Sequence, residues 1–469
     1  MKNRDDFEPR VKSVDKYLRF GRSYDLIKRV LPFAGLRTVF YMIDGLTKDE
    51  TMQKLFAFDL ALKPEQMENI RDINDFAAAL VPYVEVDVTP SLEEFCTFVL
   101  SGAVGMLIEG FDGYLIIDAR TYPARSTAEP EDDRVLRGSR DGFVETLVFN
   151  TALIRRRIRD PRLTVETVRV GSESKCDVAV CYFEGRADKK LLAEVKERIK
   201  NTDARSLAMS QQALAEALIR ENILNPFPKV RYTERPDVAA ATILEGSIVI
   251  VIDNTPSVMI LPTSFFDFVR EADDYYFPPF TGSYIRLVRI AVFLATLLIT
   301  PTWYLLIRNP EILPDGLAFL LVEKPGPVPI IMQLIIVELA IDGLKMASLN
   351  TPSSLSGSFS IIGGLILGDF AVQARWLNPE VIVYMAFVAI ANFAQPSFEL
   401  GYAFKFMRMA ILILTALFNY AGFFGGLIMT AVLVASNKTL SGKGYLYPVI
   451  PFDKADFARI FLRRRLHKD

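Results

Sequence analysis

Histidine is almost missing from this 469-residue chain, and the single one, His467, sits in a basic stretch near the C-terminus. That excludes catalytic triads built on imidazole and metal sites rich in histidine. Cysteine is scarce as well. Cys96, Cys176 and Cys181 are too few and too unevenly spaced for a disulfide framework or a four-ligand zinc site. In their apolar, strand-like run, Cys176 and Cys181 read as small core residues. No G-x-x-x-x-G-K-[ST], G-x-S-x-G or G-x-G-x-x-G string occurs, so no phosphate cradle or nucleophile elbow is signalled. An enzyme, a cofactor and a bound metal are therefore not expected. An excess of one charge sign is also lacking: the net charge is -2, which gives no reason to expect nucleic acid as a partner. The N-terminus, MKNRDDFEPRVKSVDKYLRFG, has no apolar core of a secretory signal, so the front portion is expected to stay in the cytosol.

What the chain does have is hydrophobicity gathered at one end. Mean hydropathy is +0.24, and the excess lies after Arg286. Ile285 to Ile307 supplies 23 residues with its charges, Arg286 and Arg289, at the start. At about 1.5 Å per residue that run can cross a hydrocarbon core of roughly 30 Å. Val328 to Ala347, Pro379 to Gln395 and a long run from Met407 to Ala435 are further candidate spans, with Pro301 and Asn419 interrupting two of the four. Thr351 to Ala374 is rich in Gly and Ser and reads as a re-entrant, protein-packed segment. Positive charges flank the block on both sides: Arg286 and Arg289 before it, and Arg459, Arg463, Arg464, Arg465 and Lys468 after it. Both ends are then cytosolic and the crossings even in number, most simply four. Six are needed if Leu317 to Val322 and the Gly/Ser segment both cross. Four crossings leave Lys405 and Arg408 on the far side.

Ahead of this block the pattern is α/β. Residues 1–119 alternate helix-like and strand-like stretches and end in a hairpin turning at Phe111-Asp112-Gly113. A polar stretch from Arg120 to Arg140 begins a linker, taken as 120–150. A second α/β unit, 151–284, contains a strand over Lys175 to Phe183, a helix over Asp188 to Lys200 capped by Asp188, a helix over Ala204 to Glu221, and a hairpin turning at Asp253-Asn254. The two hairpins align without a gap, Gly102 on Gly246, Glu109 on Asp253, and Tyr114 to Ile117 on Val258 to Leu261. That suggests a cytosolic head of two related subdomains, although any two hydrophobic hairpins share some likeness. The expected architecture is thus an α/β head, a polytopic α-helical membrane domain over 285–445, and a basic tail over 446–469.

Inside the apolar block, Glu338 and Asp342 are i and i+4 and so share one helix face. Carboxylates at membrane depth normally face a bundle interior or a water path, which makes the two candidate pore-lining residues. The alternative pairs Asp342 with Lys345 and lets Glu338 bond to a neighbouring helix. Gly364 with Gly368, and Gly422 with Gly426, are small-xxx-small pairs, read as helix packing ahead of gating. Asp369 and Glu399 read as solvated helix edges. The run Leu153-Ile-Arg-Arg-Arg-Ile-Arg159 could hold phosphate or anionic headgroups, or bridge acidic residues of a neighbouring element.

Several strings together resemble the A subunits of GerA-type spore germination receptors. They are Arg137-Gly-Ser-Arg-Asp-Gly-Phe-Val-Glu145, Asn150-Thr-Ala-Leu-Ile-Arg-Arg-Arg157, Arg286 before the first span, and Pro396-Ser-Phe-Glu-Leu-Gly401. Within the first, Arg137, Gly138, Arg140, Gly142, Phe143 and Glu145 carry the family pattern. The family usually has Pro and Glu where this chain has Ser139 and Asp141, which makes it look closest to the stage V sporulation protein AF branch. The resemblance covers nearly the whole chain. It implies residence in the inner membrane of a bacterial endospore, a role in germination, and assembly of several copies into an ion-conducting complex. For the branch it also implies a link to the sporulation machinery that handles dipicolinic acid. The partners implied are membrane lipid, further copies of the chain, and other germination or stage V membrane proteins. The expectation is an oligomeric cation-permeable channel or channel subunit; a non-conducting membrane scaffold that docks such proteins is the alternative.

Overall fold

A computed structural model describes residues 6–67, 70–122, 138–202, 210–219, 225–271, 273–322, 326–350, 370–442, 444–454 and 457–458. The chain divides into two compact units, Met1–Arg220 with Val230–Pro262, and Glu221–Lys229 with Thr263–Asp469.

The first unit repeats one arrangement twice. Its first half runs α1 (Phe7–Leu18), β1 (Leu26–Phe33), β2 (Leu36–Ile43), α2 (Asp49–Leu60), α3 (Ile73–Leu80), β3 (Val86–Thr89), α4 (Leu92–Leu100), β4 (Val104–Ile108) and β5 (Tyr114–Ile117). Its second half runs α5 (Leu147–Arg157), β6 (Leu163–Val170), β7 (Cys176–Phe183), α6 (Lys189–Lys200), α7 (Ser210–Leu218), β8 (Arg231–Thr233), α8 (Pro236–Glu245), β9 (Ile248–Ile252) and β10 (Val258–Leu261). Both sheets are antiparallel throughout and have the same order, β1-β2-β4-β5-β3 and β6-β7-β9-β10-β8. The hairpins aligned in the sequence therefore occupy equivalent places.

Local chemistry explains the repeat. In each half a helix ends at a left-handed glycine, Gly102 (φ 103°) and Gly246 (φ 104°). A Cβ at Gly102 would lie 2.8 Å from Leu46 Cβ, and one at Gly246 would lie 2.9 Å from the Arg186 carbonyl. Only glycine tolerates both the backbone angle and the contact. Asp72 and Asp188 cap α3 and α6 by accepting from two backbone N–H groups each.

In the first half, α1 and α4 cover one face of the sheet, burying Val14, Phe95, Cys96 and Val99 against Val39, Tyr41 and Leu107. α2 and α3 cover the other, with Leu55 and Phe76 on Phe40, Met106 and Ile117. In the second half α5 and α8 take the place of α1 and α4, and bury Ile154 and Ile243 on Val165, Cys181, Val249 and Ile260. Buried strands on both faces read as unbroken apolar runs, which is the pattern of β9 and β10.

Residues 138–146 do not behave as a free tether. Phe143 is fully buried in the core of the second half and its N–H donates to the Glu234 carbonyl at 2.8 Å. The second folded half thus begins before residue 151; residues 123–137 of the stretch lie outside the described residues. The helix expected over 204–221 is described only from Ser210 to Leu218.

The second unit is helical. After α9 (Asp273–Tyr276) come α10 (Pro279–Arg308), α11 (Ile330–Asn350), the single turn α12 (Ala371–Gln373), α13 (Pro379–Phe393) and α14 (Phe398–Ser436). The boundary drawn from hydropathy at residue 285 moves back to Thr263, because Phe265, Phe268 and Val269 pack with Phe293, Phe404 and Tyr445 of this unit. Among the described residues two helices, α10 and α14, are by length and composition apolar enough to cross a membrane. α11 carries three charged side chains in 21 residues, and α13, with 15 residues, reaches only about 22 Å.

The expected long span over 407–435 is not one straight helix. Asn419, at φ 53° and ψ -127°, breaks α14 into two arms. The second folds back along the first: a Cβ on Gly422 would lie 1.8 Å from the Leu414 carbonyl oxygen, and one on Gly426 would lie 3.0 Å from Ile411 Cα. The arms are antiparallel and meet backbone to backbone through these two glycines. Gly364, Gly368, Asp369 and nearly all of the Gly/Ser segment lie outside the described residues, as does the C-terminal basic cluster with His467.

Candidate functional site

The acidic stripe of α11 faces the first arm of α14. Arg408 donates through Nη2 to both carboxylate oxygens of Glu338 at 2.7 and 2.8 Å, and through Nη1 to the Thr296 carbonyl of α10 at 3.0 Å. Lys405 forms an ion pair with Asp342 and lies 3.7 Å from Glu338. Glu338, Lys405 and Arg408 are all buried, at 3, 7 and 1% exposure.

The pairing follows from helix geometry. Glu338 and Asp342 are four apart on one helix, Lys405 and Arg408 three apart on the other, and the pairs match in reversed order because α11 runs antiparallel to the first arm. Asp342 thus pairs across to Lys405 and not along its own helix to Lys345, whose ammonium lies 5.2 and 5.8 Å from the ring centres of Phe393 and Tyr402. Lys405 and Arg408, read from sequence only as charges beyond a span, are buried in the interior of the helical unit. The sequence signal for them was present, two cations at helical spacing complementary to two acids, but a topology count treats positive charges as ends and not as partners.

A second polar feature holds the break in α14. Helix interruption at Asn419 leaves carbonyls of the preceding turn without their usual N–H partners. Arg308, the last residue of α10, donates to the carbonyls of Thr415 at 2.8 Å and Ala416 at 2.5 Å. Asn309 and Asn419 exchange two amide hydrogen bonds, each 2.8 Å. In an apolar unit such groups must be satisfied internally, and Arg308 does this for two of the carbonyls.

At the start of α10 a third cluster forms. Arg286 donates to Asp274 at 3.1 Å, and Arg289 donates to both Asp274 oxygens at 2.9 and 3.0 Å and pairs with Glu271. These arginines, read from sequence as topology markers, are buried beside an acid that is itself fully buried.

In the first unit, the arginine run of α5 bridges acidic neighbours. Arg155 is 2% exposed and donates to Asp25 through Nε at 2.7 Å and Nη2 at 3.1 Å, joining the two halves. Tyr24 N–H donates to the Val165 carbonyl at 3.0 Å beside it. Arg156 lies over the Tyr122 ring, and Arg157 donates to both oxygens of Asp141 at 2.6 Å and to Ser139 Oγ at 2.9 Å. Burial raises the Asp141 carboxyl, but hydrogen bonds from Arg157 and Ser139 outweigh it and hold the group below the usual range. So the two positions that depart from the family pattern are joined by one arginine. The rest of the motif is structural in this arrangement: Gly138 has φ 122°, Phe143 is core, and the Glu145 carbonyl accepts from Asn254 N–H at 2.7 Å. Arg140 and Gly142 flank Asp141 on the same loop, and Arg137 lies outside the described residues.

Among the described residues no group of three or more His, Cys, Asp or Glu side chains is placed to hold a metal ion.

Residues 16–469 match the profile of the family described as Bacillus/Clostridium GerA spore germination protein. Stage V sporulation protein AF of Bacillus subtilis strain 168 is 37% identical over 462 residues, covering 98% of this chain and 92% of that protein. Spore germination protein KA of the same organism is 31% identical, covering 92% of this chain and 80% of its own length. Among solved structures, the N-terminal domain of the A subunit of the Bacillus megaterium spore germinant receptor GerK3 matches 53% of this chain and 92% of that chain, at 24% identity and a TM-score of 0.41.

Proposed function

From the chain's membership of the GerA spore germination family, we propose that this germination protein works as an oligomeric, cation-permeable channel or channel subunit that triggers or amplifies ion release. The observation that carries the reading is the buried cluster of Glu338, Asp342, Lys405 and Arg408 inside a unit whose two longest helices are apolar enough to cross a bilayer. Ionisable groups at such depth are costly and mark ion pathways. In the arrangement described, the two carboxylates are neutralised by two cations, which suits a closed state: conduction requires α11 to part from the first arm of α14, freeing the carboxylates to face permeant cations. Outward apolar stripes at helical spacing, Val383, Phe387 and Ile390 on α13 and Phe424, Ile428 and Val432 on the second arm, suit contact with lipid or with further copies.

The proposed location is the inner membrane of the endospore, with the first unit and the C-terminal tail on the core side. A second reading, a non-conducting scaffold that docks other germination or stage V proteins, draws on the full pairing of the acidic stripe.

The test is reconstitution of the purified chain into sealed vesicles with a cation-sensitive dye inside. The channel reading expects an oligomer, a cation leak, and altered selectivity in Glu338→Gln with Asp342→Asn. A monomer without leak sinks it and leaves the scaffold.

A further inference from the structure

The geometry points to Asp59 as a proton-operated catch in the first unit, holding α2 on its sheet while the carboxyl is protonated and releasing it on ionisation. Asp59 lies on the apolar stripe of α2, continuing Met52 and Leu55 at helical spacing. It is fully buried, and neither carboxylate oxygen has a hydrogen-bond partner. An ionised carboxylate in that position would be neither solvated nor paired, a condition proteins avoid by keeping the proton.

The repeat supplies an internal comparison. α2 and α6 have the same length, and β2 and β7 share with them a constant offset of 140 residues. Leu55 then falls on Val195 and Asp59 on Ile199, both buried in the second half. One half therefore fills this position with an apolar side chain and the other with an acid, so packing alone does not call for a carboxyl.

Among the described residues, no neighbouring charge relieves Asp59. On α2 itself Asp49, Glu50 and Lys54 are exposed. On β1, the strand beneath, Lys28 is bound to Asp15 and Arg29 is exposed. On α3, Asp75 accepts from Arg71 N–H. Burial alone pushes the carboxyl up to about 7.

The sign follows from linkage. An opened α2 exposes Asp59 to water, where it loses its proton near pH 4, while docked α2 keeps it to about pH 7. Between those values the docked form binds the extra proton, so docking weakens about tenfold per pH unit and levels off above pH 7.

Hydrogen exchange followed by mass spectrometry on the full chain in detergent, corrected for intrinsic rates, reads this directly. Peptides covering 49–60 should lose about a hundredfold of their protection between pH 5 and 7 and then plateau. Peptides covering 189–200 should stay flat. Asp59→Ile, which copies Ile199, should make α2 as flat as α6, and Asp59→Asn provides a second neutral variant should the first misfold. Equal pH dependence of α2 and α6 in the unaltered chain, or a pH dependence that survives in either variant, overturns the proposal.

Discussion

Replacing Arg408 with Met would leave the Glu338 carboxylate, 3% exposed, without the guanidinium that now binds both of its oxygens. Removing one member of a buried pair costs about 3–5 kcal/mol, and the Lys405 ammonium at 3.7 Å offers partial relief, which places the loss near the lower figure. For a unit of this size that is a drop in Tm on the order of 10 °C. Glu338→Leu should cost a similar amount by stranding Arg408. The double variant removes both charges and should recover to within about 2 kcal/mol of the parent, so the two effects are far from additive. The chain has two tryptophans, Trp303 and Trp376, and both belong to the helical unit, Trp303 buried and Trp376 69% exposed. Intrinsic tryptophan fluorescence during heating in detergent therefore reports this unit and not the α/β one. A single variant that melts with the parent, or a double variant whose loss equals the sum of the singles, would refute the description of Glu338 and Arg408 as a coupled buried pair.

Gly422→Ala should prevent the α14 arms from closing, since its Cβ would fall 1.8 Å from a backbone carbonyl; Gly425→Ala, where a Cβ meets nothing within 4 Å, should be neutral or stabilising by up to about 1 kcal/mol. The yield of folded chain on size exclusion separates the two. Arg155→Met should destabilise the first unit by about 3–5 kcal/mol by stranding buried Asp25, seen as faster proteolysis between the halves. Arg308→Ala should loosen the turn before Asn419, raising amide exchange over 415–420, while Arg308→Lys should restore part of the protection because one ammonium can still donate to both carbonyls.

Two families of feature were legible before any fold was known. Periodicity and glycine placement gave the α/β front, the hairpins at 111–113 and 253–254, the Asp188 cap and the concentration of apolar helix after about residue 285, because each depends on neighbours in sequence. Even the repeat showed in one stretch, where the spacing of 144 between the two hairpins is unbroken. The remainder of the repeat was hidden by changes of offset, from 144 at the hairpins to 140 at β2 and α2 and 137 at β1, which loops absorb without altering the sheet.

Only tertiary structure decided where the charges went. Arg286, Arg289, Lys405 and Arg408 looked like boundary residues because cations are usually solvated, and Arg155 sat in a run that could bind anions or bridge acids; each is buried against an acid between 15 and 130 residues away in sequence, or in the case of Arg286 only 12. Such pairings depend on which helices lie side by side and in which direction, and no local pattern carries that. The fold-back of α14 was concealed for the same reason. Asn419 and two glycines four residues apart fit a straight helix as well as a bent one, and it took contact between residues 411–414 and 422–426 to show that the chain turns.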